Sequence, residues 1–182
     1  MLFRSPSGTT YTLVSAVGST SGVTSTVFAG SVSSIAGTFT NTTNAALSVT
    51  YTLQPTSNGC VGSNFTVVIT VNPRPLITSM TAVSCEGLTF EVSPVQTTNG
   101  TVPAGTLYSW SAPTVSGGMT GGSVGSNAVS ITGNLSNPTS ALQTAVYTVT
   151  TSAPAGLGGC SGGSFTLTVT INPDRKSTRL NS

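Results

Sequence analysis

Stretches of this chain alternate apolar and hydroxyl side chains: FTVVITV (65–71), LTFEVSPV (88–95), AVYTVTT (145–151) and FTLTVTI (165–171). A period of two puts alternate side chains on opposite faces of an extended strand, and the Val, Ile, Phe and Tyr content favours strands over helices. Clusters of Gly, Asn, Ser and Pro separate the stretches at the short intervals of a β-sandwich. Helix formers are scarce and no segment keeps a 3.6-residue period. No apolar run approaches the roughly 20 residues of a membrane-spanning helix. The pattern predicts an all-β protein.

The pattern also repeats, which points to a modular chain. GTFTNTTNAALSVTYTL, from Gly37, matches GNLSNPTSALQTAVYTV, from Gly133, at an offset of 96 that holds through Tyr51 and Tyr147. Upstream, SGVTSTVFAGSVSSIAG runs against GGMTGGSVGSNAVSITG at the same offset. GCVGSNFTVVITVNP (59–73) matches GCSGGSFTLTVTINP (159–173) at an offset of 100, the difference being a longer loop in SAPAGLGGC. The second copy is longer at its front: residues 75–105 have no counterpart in the first, which begins near GTTYTLV. NPRP (72–75) is the joint, its prolines fixing φ and stopping the last strand.

The order CEGLTFEV, YSWSAP, AVYTV, GC and a closing FTLTVTINP resembles the PKD-like and immunoglobulin-like repeat domains of large bacterial surface and secreted proteins, adhesins among them. The resemblance covers 75–173 in full and 8–73 in part. It implies tandem Ig-like (PKD-like) β-sandwiches of the seven-stranded kind, a complete one over 74–173 and one over 6–73 truncated on its N-terminal side. The more familiar motif has Asp-Phe-Gly-Asp after the Trp. Here Ser111, Ala112 and Pro113 follow Trp110, which marks a divergent branch and removes a carboxylate expected there.

On such a fold strand B falls near 87–95, C near 106–112, E near 127–135, F near 143–151 and G near 163–172. Tyr108 and Trp110 share one face of C, where sandwiches of this type bury a Trp. Phe90, Val92, Leu135, Tyr147, Val149, Leu167, Val169 and Ile171 are further core candidates, with Tyr51 in the first copy. Tyr51 and Tyr147 are also candidate corner tyrosines, with hydroxyls bonded back to the backbone. The alternative for the aromatics is an exposed platform on which sugar rings stack. Without strand B the first copy leaves apolar side chains and a strand edge uncovered, so residues 6–73 alone are expected to aggregate or stay loose.

Charge changes the reading of the ends. Asp174, Arg175, Lys176 and Arg179 are four of the eight charged side chains in the chain. DRKSTRLNS (174–182) can be written GAT CGG AAG AGC ACA CGT CTG AAC TCC, which looks like a short-read sequencing adapter. MLFRS (1–5), written GTG CTC TTC CGA TCT, looks like its partner. Residues 1–5 and 174–182 are therefore expected to be non-native scars and are set aside. Residues 6–173 then carry Arg74, Glu86 and Glu91, one positive and two negative groups, for a net charge of −1. No basic patch remains to neutralise phosphates, so a nucleic-acid partner is not expected. Solubility must come from hydroxyls and amides, which suits a secreted, Thr-rich surface protein.

Candidate chemistry is sparse. The chain has no His, and residues 6–173 have no Asp or Lys. Glu86 and Glu91, five apart on one extended stretch, are expected to point to opposite faces and not to form an acid–base pair. A Ser or Thr nucleophile would have no evident base, and two carboxylates are too few for a tight calcium cage. Gly117-Gly118 and Gly121-Gly122 read as turn glycines, lacking the Lys and helix start of a phosphate loop. Sequons at Asn41, Asn64, Asn99 and Asn134 arise readily in a chain this rich in Ser and Thr.

Cys60 and Cys160 hold the same repeat position before the last strand, and Cys85 opens the second strand. One reading is a Cys85–Cys160 disulfide. The other is a staple between neighbouring copies, since the turn before B and the F–G turn lie at opposite ends of such a sandwich. Three scattered Cys do not supply the four ligands of a zinc site.

The expected protein is thus a non-catalytic structural or adhesive repeat module, extracellular or at the cell surface, with no catalytic, metal or cofactor residues and no membrane insertion. Its partners would be neighbouring repeats of its own chain, with a surface glycan or protein as a further ligand. The alternative is a carbohydrate-binding accessory domain of a secreted hydrolase.

Overall fold

The computed structural model describes residues 5–18, 23–25, 31–34 and 36–173. Of the two ends expected to be non-native, residues 1–4 and 174–182 lie outside the described residues. The chain divides into two compact units, Met1–Pro73 and Arg74–Ser182. Among the described residues there is no α-helix, and a single 3-10 turn spans Ala155–Leu157.

Unit 1 contains β1 (Thr10–Gly18), β2 (Val23–Ser25), β3 (Ser31–Val32), β4 (Phe39–Asn41), β5 (Leu47–Ser57), β6 (Cys60–Val61) and β7 (Phe65–Val71). Unit 2 contains β8 (Leu76–Ile77), β9 (Met80–Cys85), β10 (Thr89–Val92), β11 (Gly100–Thr101), β12 (Leu107–Trp110), β13 (Thr114–Val115), β14 (Thr120–Gly121), β15 (Gly125–Ala128), β16 (Ile131–Ser136), β17 (Gln143–Ser152) and β18 (Ser161–Asn172).

In unit 2 the larger sheet runs β15-β12-β17-β18-β9, and β13 also pairs with β17. The smaller sheet runs β10-β16-β14, and β8 pairs with β11. Strands β10, β12, β17 and β18 stand where B, C, F and G were expected. The long strands owe their two-sided character to sequence alternation. On β17 the side chains of Ala145, Tyr147, Val149 and Thr151 are buried while their neighbours are exposed. On β18 Phe165, Leu167, Val169 and Ile171 turn inward in the same way. Phe90, Ile131 and Leu135 of the smaller sheet meet them in one core. Burying each such side chain contributes roughly 1.5–3 kcal/mol. Val92, expected in the core, is only half-buried at its rim.

The expected strand E, 127–135, is corrected by the structure. The chain changes sheet within it: Gly125–Ala128 pairs with β12 of the larger sheet, whereas Ile131–Ser136 joins the smaller one. Asn127, at φ 50°, marks the irregular register between β15 and β12, and the chain crosses between layers at the bend of Val129 and Ser130 that follows.

Unit 1 repeats part of this plan. β5 pairs with β1 and β7, as β17 pairs with β12 and β18. Leu13 stands opposite Leu53 where Trp110 stands opposite Val149. β2 pairs with β4 as β14 pairs with β16. Among the described residues, nothing in unit 1 corresponds to β8, β9 or β10. Its buried cluster is accordingly small, made of Val49, Tyr51 and Leu53 with Leu13, Phe39, Val67 and Ile69 partly covered around it.

Candidate functional site

The aromatic side chains singled out from the sequence lie in the interiors of their units. Tyr51 is 3% exposed and its ring tilts against Phe39 at 6.2 Å. In unit 2 Phe90, Tyr108, Trp110 and Tyr147 are all buried. The Trp110 indole N–H donates to the Ser123 carbonyl at 3.0 Å. Its ring lies over Gly125, where an added Cβ would come within 2.2 Å of the indole. These rings are therefore not available as a sugar-stacking row.

Tyr147 does not form the expected tyrosine corner. It sits mid-strand on β17, edge-on to Phe90 at 5.7 Å, and its buried hydroxyl has no hydrogen-bond partner. A corner tyrosine must stand near the start of its strand to reach the preceding turn. Desolvation pushes the Tyr147 phenol up to about 12, and burial also raises that of Tyr108.

The most elaborate polar structure is one the sequence reading did not single out. Asn137 is 4% exposed at the corner between β16 and β17. Its Nδ2 donates to the carbonyls of Ala141 at 2.8 Å and Ile171 at 3.1 Å. Its Oδ1 accepts from the Thr139 N–H at 3.0 Å and the Thr139 hydroxyl at 2.8 Å. Asn41 repeats the arrangement in unit 1, donating to Ala45 at 2.8 Å and Val71 at 2.7 Å and accepting from both donors of Thr43. Each Asn thus ties the corner to the end of the last strand, at Val71, the final residue of β7, and at Ile171, the penultimate residue of β18. The signal was present as an Asn followed by Thr two residues on, at offset 96. At Asn41 the same residues spell a sequon, and its amide is committed to these bonds.

Glu86 reinforces the same end of unit 2. Its carboxylate accepts from the Ser136 hydroxyl at 2.7 Å and from the Asn137 N–H. Glu91 is exposed on β10. The two carboxylates are not on one extended stretch as expected, because the chain turns at Gly87, where φ is 71°.

Unit 1 has an open cleft of about 830 Å³, lined among others by Tyr11, Pro55, Gly62, Phe65 and Val67. Tyr11 and Phe65 meet edge-on there, with centroids 6.0 Å apart and planes at 77°, so they do not make a flat platform.

A family model described as PKD-like domain matches residues 4–75 and again residues 82–175. The chain belongs to the PKD-like domain family. Its described part is all-β, and PKD-like domains serve in general as extracellular structural or adhesive modules that are typically non-catalytic. A search of curated proteins gives no match. Among the described residues no helix is long and apolar enough to cross a membrane, and no group of three or more His, Cys, Asp or Glu side chains is placed to hold a metal.

The PKD-like fold also corrects the Cys85–Cys160 pairing within one domain. Cys85 stands opposite Asn172 at one end of β18, while Cys160 precedes Ser161 at the other. A strand of this length spans more than about 30 Å, and a disulfide needs Cα atoms within about 7 Å. All three cysteines are free; Cys60 and Cys85 are exposed, and the Cys160 thiol leans on the Leu157 carbonyl at 3.7 Å. Gly117 and Gly118 stand in a turn with positive φ, whereas Gly121 ends strand β14 opposite Leu135 and Gly122 follows it, both also at positive φ.

Proposed function

We propose that this chain is a non-catalytic structural or adhesive repeat module of a large bacterial surface or secreted protein, working next to further copies of the same repeat. The observation that carries this reading is the tandem match to one PKD-like family over residues 4–75 and 82–175. The low charge supports it, since a hydroxyl-rich exterior suits a module whose task is to hold position rather than to bind phosphate or turn over a substrate. On this reading Cys85 and Cys160, which lie at opposite ends of β18, bridge to adjoining repeats in an oxidising compartment.

The test is antibody against unit 2 applied to intact and to permeabilised cells of the organism that makes the parent protein. Labelling of intact cells, or antigen in the medium, is expected. Labelling only after permeabilisation would refute the proposal. A glycan array on the purified chain weighs this reading against a carbohydrate-binding accessory domain: a saturable glycan signal favours the second.

A further inference from the structure

The two units differ most along the edge of their last strand. In unit 2, β9 runs parallel to β18 along that edge, from Leu167 opposite Met80 to Asn172 opposite Cys85. In unit 1 the matching strand is β7. It pairs with β5 on one side, and among the described residues no strand lies on the other.

The side chains register the difference. Phe165 is 5% exposed and Leu167 and Val169 are fully buried. Their counterparts at offset 100 are Phe65, 37% exposed, and the half-buried Val67 and Ile69. The cleft of unit 1 falls at the same place. Gly62, Phe65, Val67 and Tyr11 line it. Their unit 2 counterparts are Gly162, Phe165, Leu167 and Tyr108. There the space beside Gly162 is filled by residues 75–77: an added Cβ on Gly162 would meet the Pro75 carbonyl at 2.6 Å, and the Gly163 N–H donates to that carbonyl at 3.1 Å. Further along, Phe90 of β10 closes the core against Tyr147.

We propose that the cleft and the outer edge of β7 form a strand-acceptor site, and that its occupant is a segment with the chemistry of residues 75–92. Such a segment seats a Pro-Leu-Ile stretch in the cleft and a parallel strand with small and apolar inward side chains along β7. It then turns back through Glu-Gly to place an inward Phe. The occupant is specified because unit 2 shows this covering on the same framework. Backbone pairing supplies affinity and the alternating inward side chains supply selectivity, as in strand addition generally. A bare, apolar-flanked edge left uncovered is also the feature that drives edge-to-edge association.

The experiment uses the full chain and a fluorescently labelled synthetic peptide of residues 75–95 carrying C85S. Binding is followed by anisotropy, and backbone amide exchange locates it. The expected result is saturable one-to-one binding with exchange across residues 65–71 slowed at least tenfold. A peptide carrying M80D and F90D should bind at least tenfold more weakly. The proposal is overturned if no binding occurs up to the solubility limit, or if the doubly substituted peptide binds equally well. It is also overturned if protection appears on 165–171 instead of 65–71, which would mean exchange into unit 2.

Discussion

The unpartnered hydroxyl of Tyr147 gives a sharp test of the packing argument. The residue is fully buried, and its hydroxyl is the buried side-chain polar atom without a partner among the described residues. Tyr147→Phe removes that oxygen and keeps the ring against Phe90. A buried polar group left unsatisfied costs about 1–3 kcal/mol, and the void left by one oxygen, smaller than a methyl group, costs less than about 1 kcal/mol. Tyr147→Phe should therefore stabilise unit 2 by about 1 kcal/mol, or ~4–8 °C in Tm for a domain of this size. Trp110, the sole tryptophan, lies in unit 2 and reports its unfolding selectively by fluorescence in urea or on heating.

Alongside the buried Tyr108, the same residue contributes to the alkaline limb. The phenol's folded-state value of about 12 lies above its ordinary 10. The native state thus holds its proton where the unfolded chain releases one, and the stability this gives up begins to be lost above pH 10 and continues to be lost until about pH 12. Tyr147→Phe should flatten that decline. A substitution that destabilises by about 1 kcal/mol or more would refute the reasoning by showing that the hydroxyl has a partner, and an unchanged alkaline decline would refute it by showing that burial does not hold the phenol's proton.

Other outcomes follow from the same packing. Gly125→Ala places a Cβ within 2.2 Å of the Trp110 ring. It should cost about 1–3 kcal/mol by overpacking, with a red shift of Trp110 emission in the native state. Asn137→Ala strands the buried Ile171 carbonyl, so a loss of about 2–3 kcal/mol in urea unfolding is expected, whereas Thr114→Ser on the exposed β13 should change little. Oxidation of the dilute chain should yield no Cys85–Cys160 crosslink by non-reducing peptide mapping, and Cys85 should react with a thiol reagent in the native state.

The strands of unit 2 were legible because alternation is a local property. FTLTVTI shows which side chains face in once one neighbour is placed, and the repeat sets β5 and β7 against β17 and β18. Strand E was harder. GSNAVSITG alternates through a point where the backbone leaves one sheet for the other, and side-chain period does not record that crossing. Tyr147 was placed in the core from its position but given a hydroxyl partner by analogy, and a hydroxyl's partner depends on distant backbone. Asn137 was missed for a related reason. Its importance comes from the Ile171 carbonyl 34 residues away, whereas the sequence displays only its Thr neighbour. The separation of Cys85 from Cys160 follows from β-strand register, which sequence spacing leaves open.

The parallel ladder between β9 and β18 has a mechanical consequence. These strands lie near the start and the end of unit 2, so traction applied through its two flanking segments draws them in opposite directions along their length. The ladder then resists in shear, with all its rungs strained together, instead of unzipping one rung at a time. A tether built of such units would lengthen in abrupt steps, each released only when a whole ladder gives way.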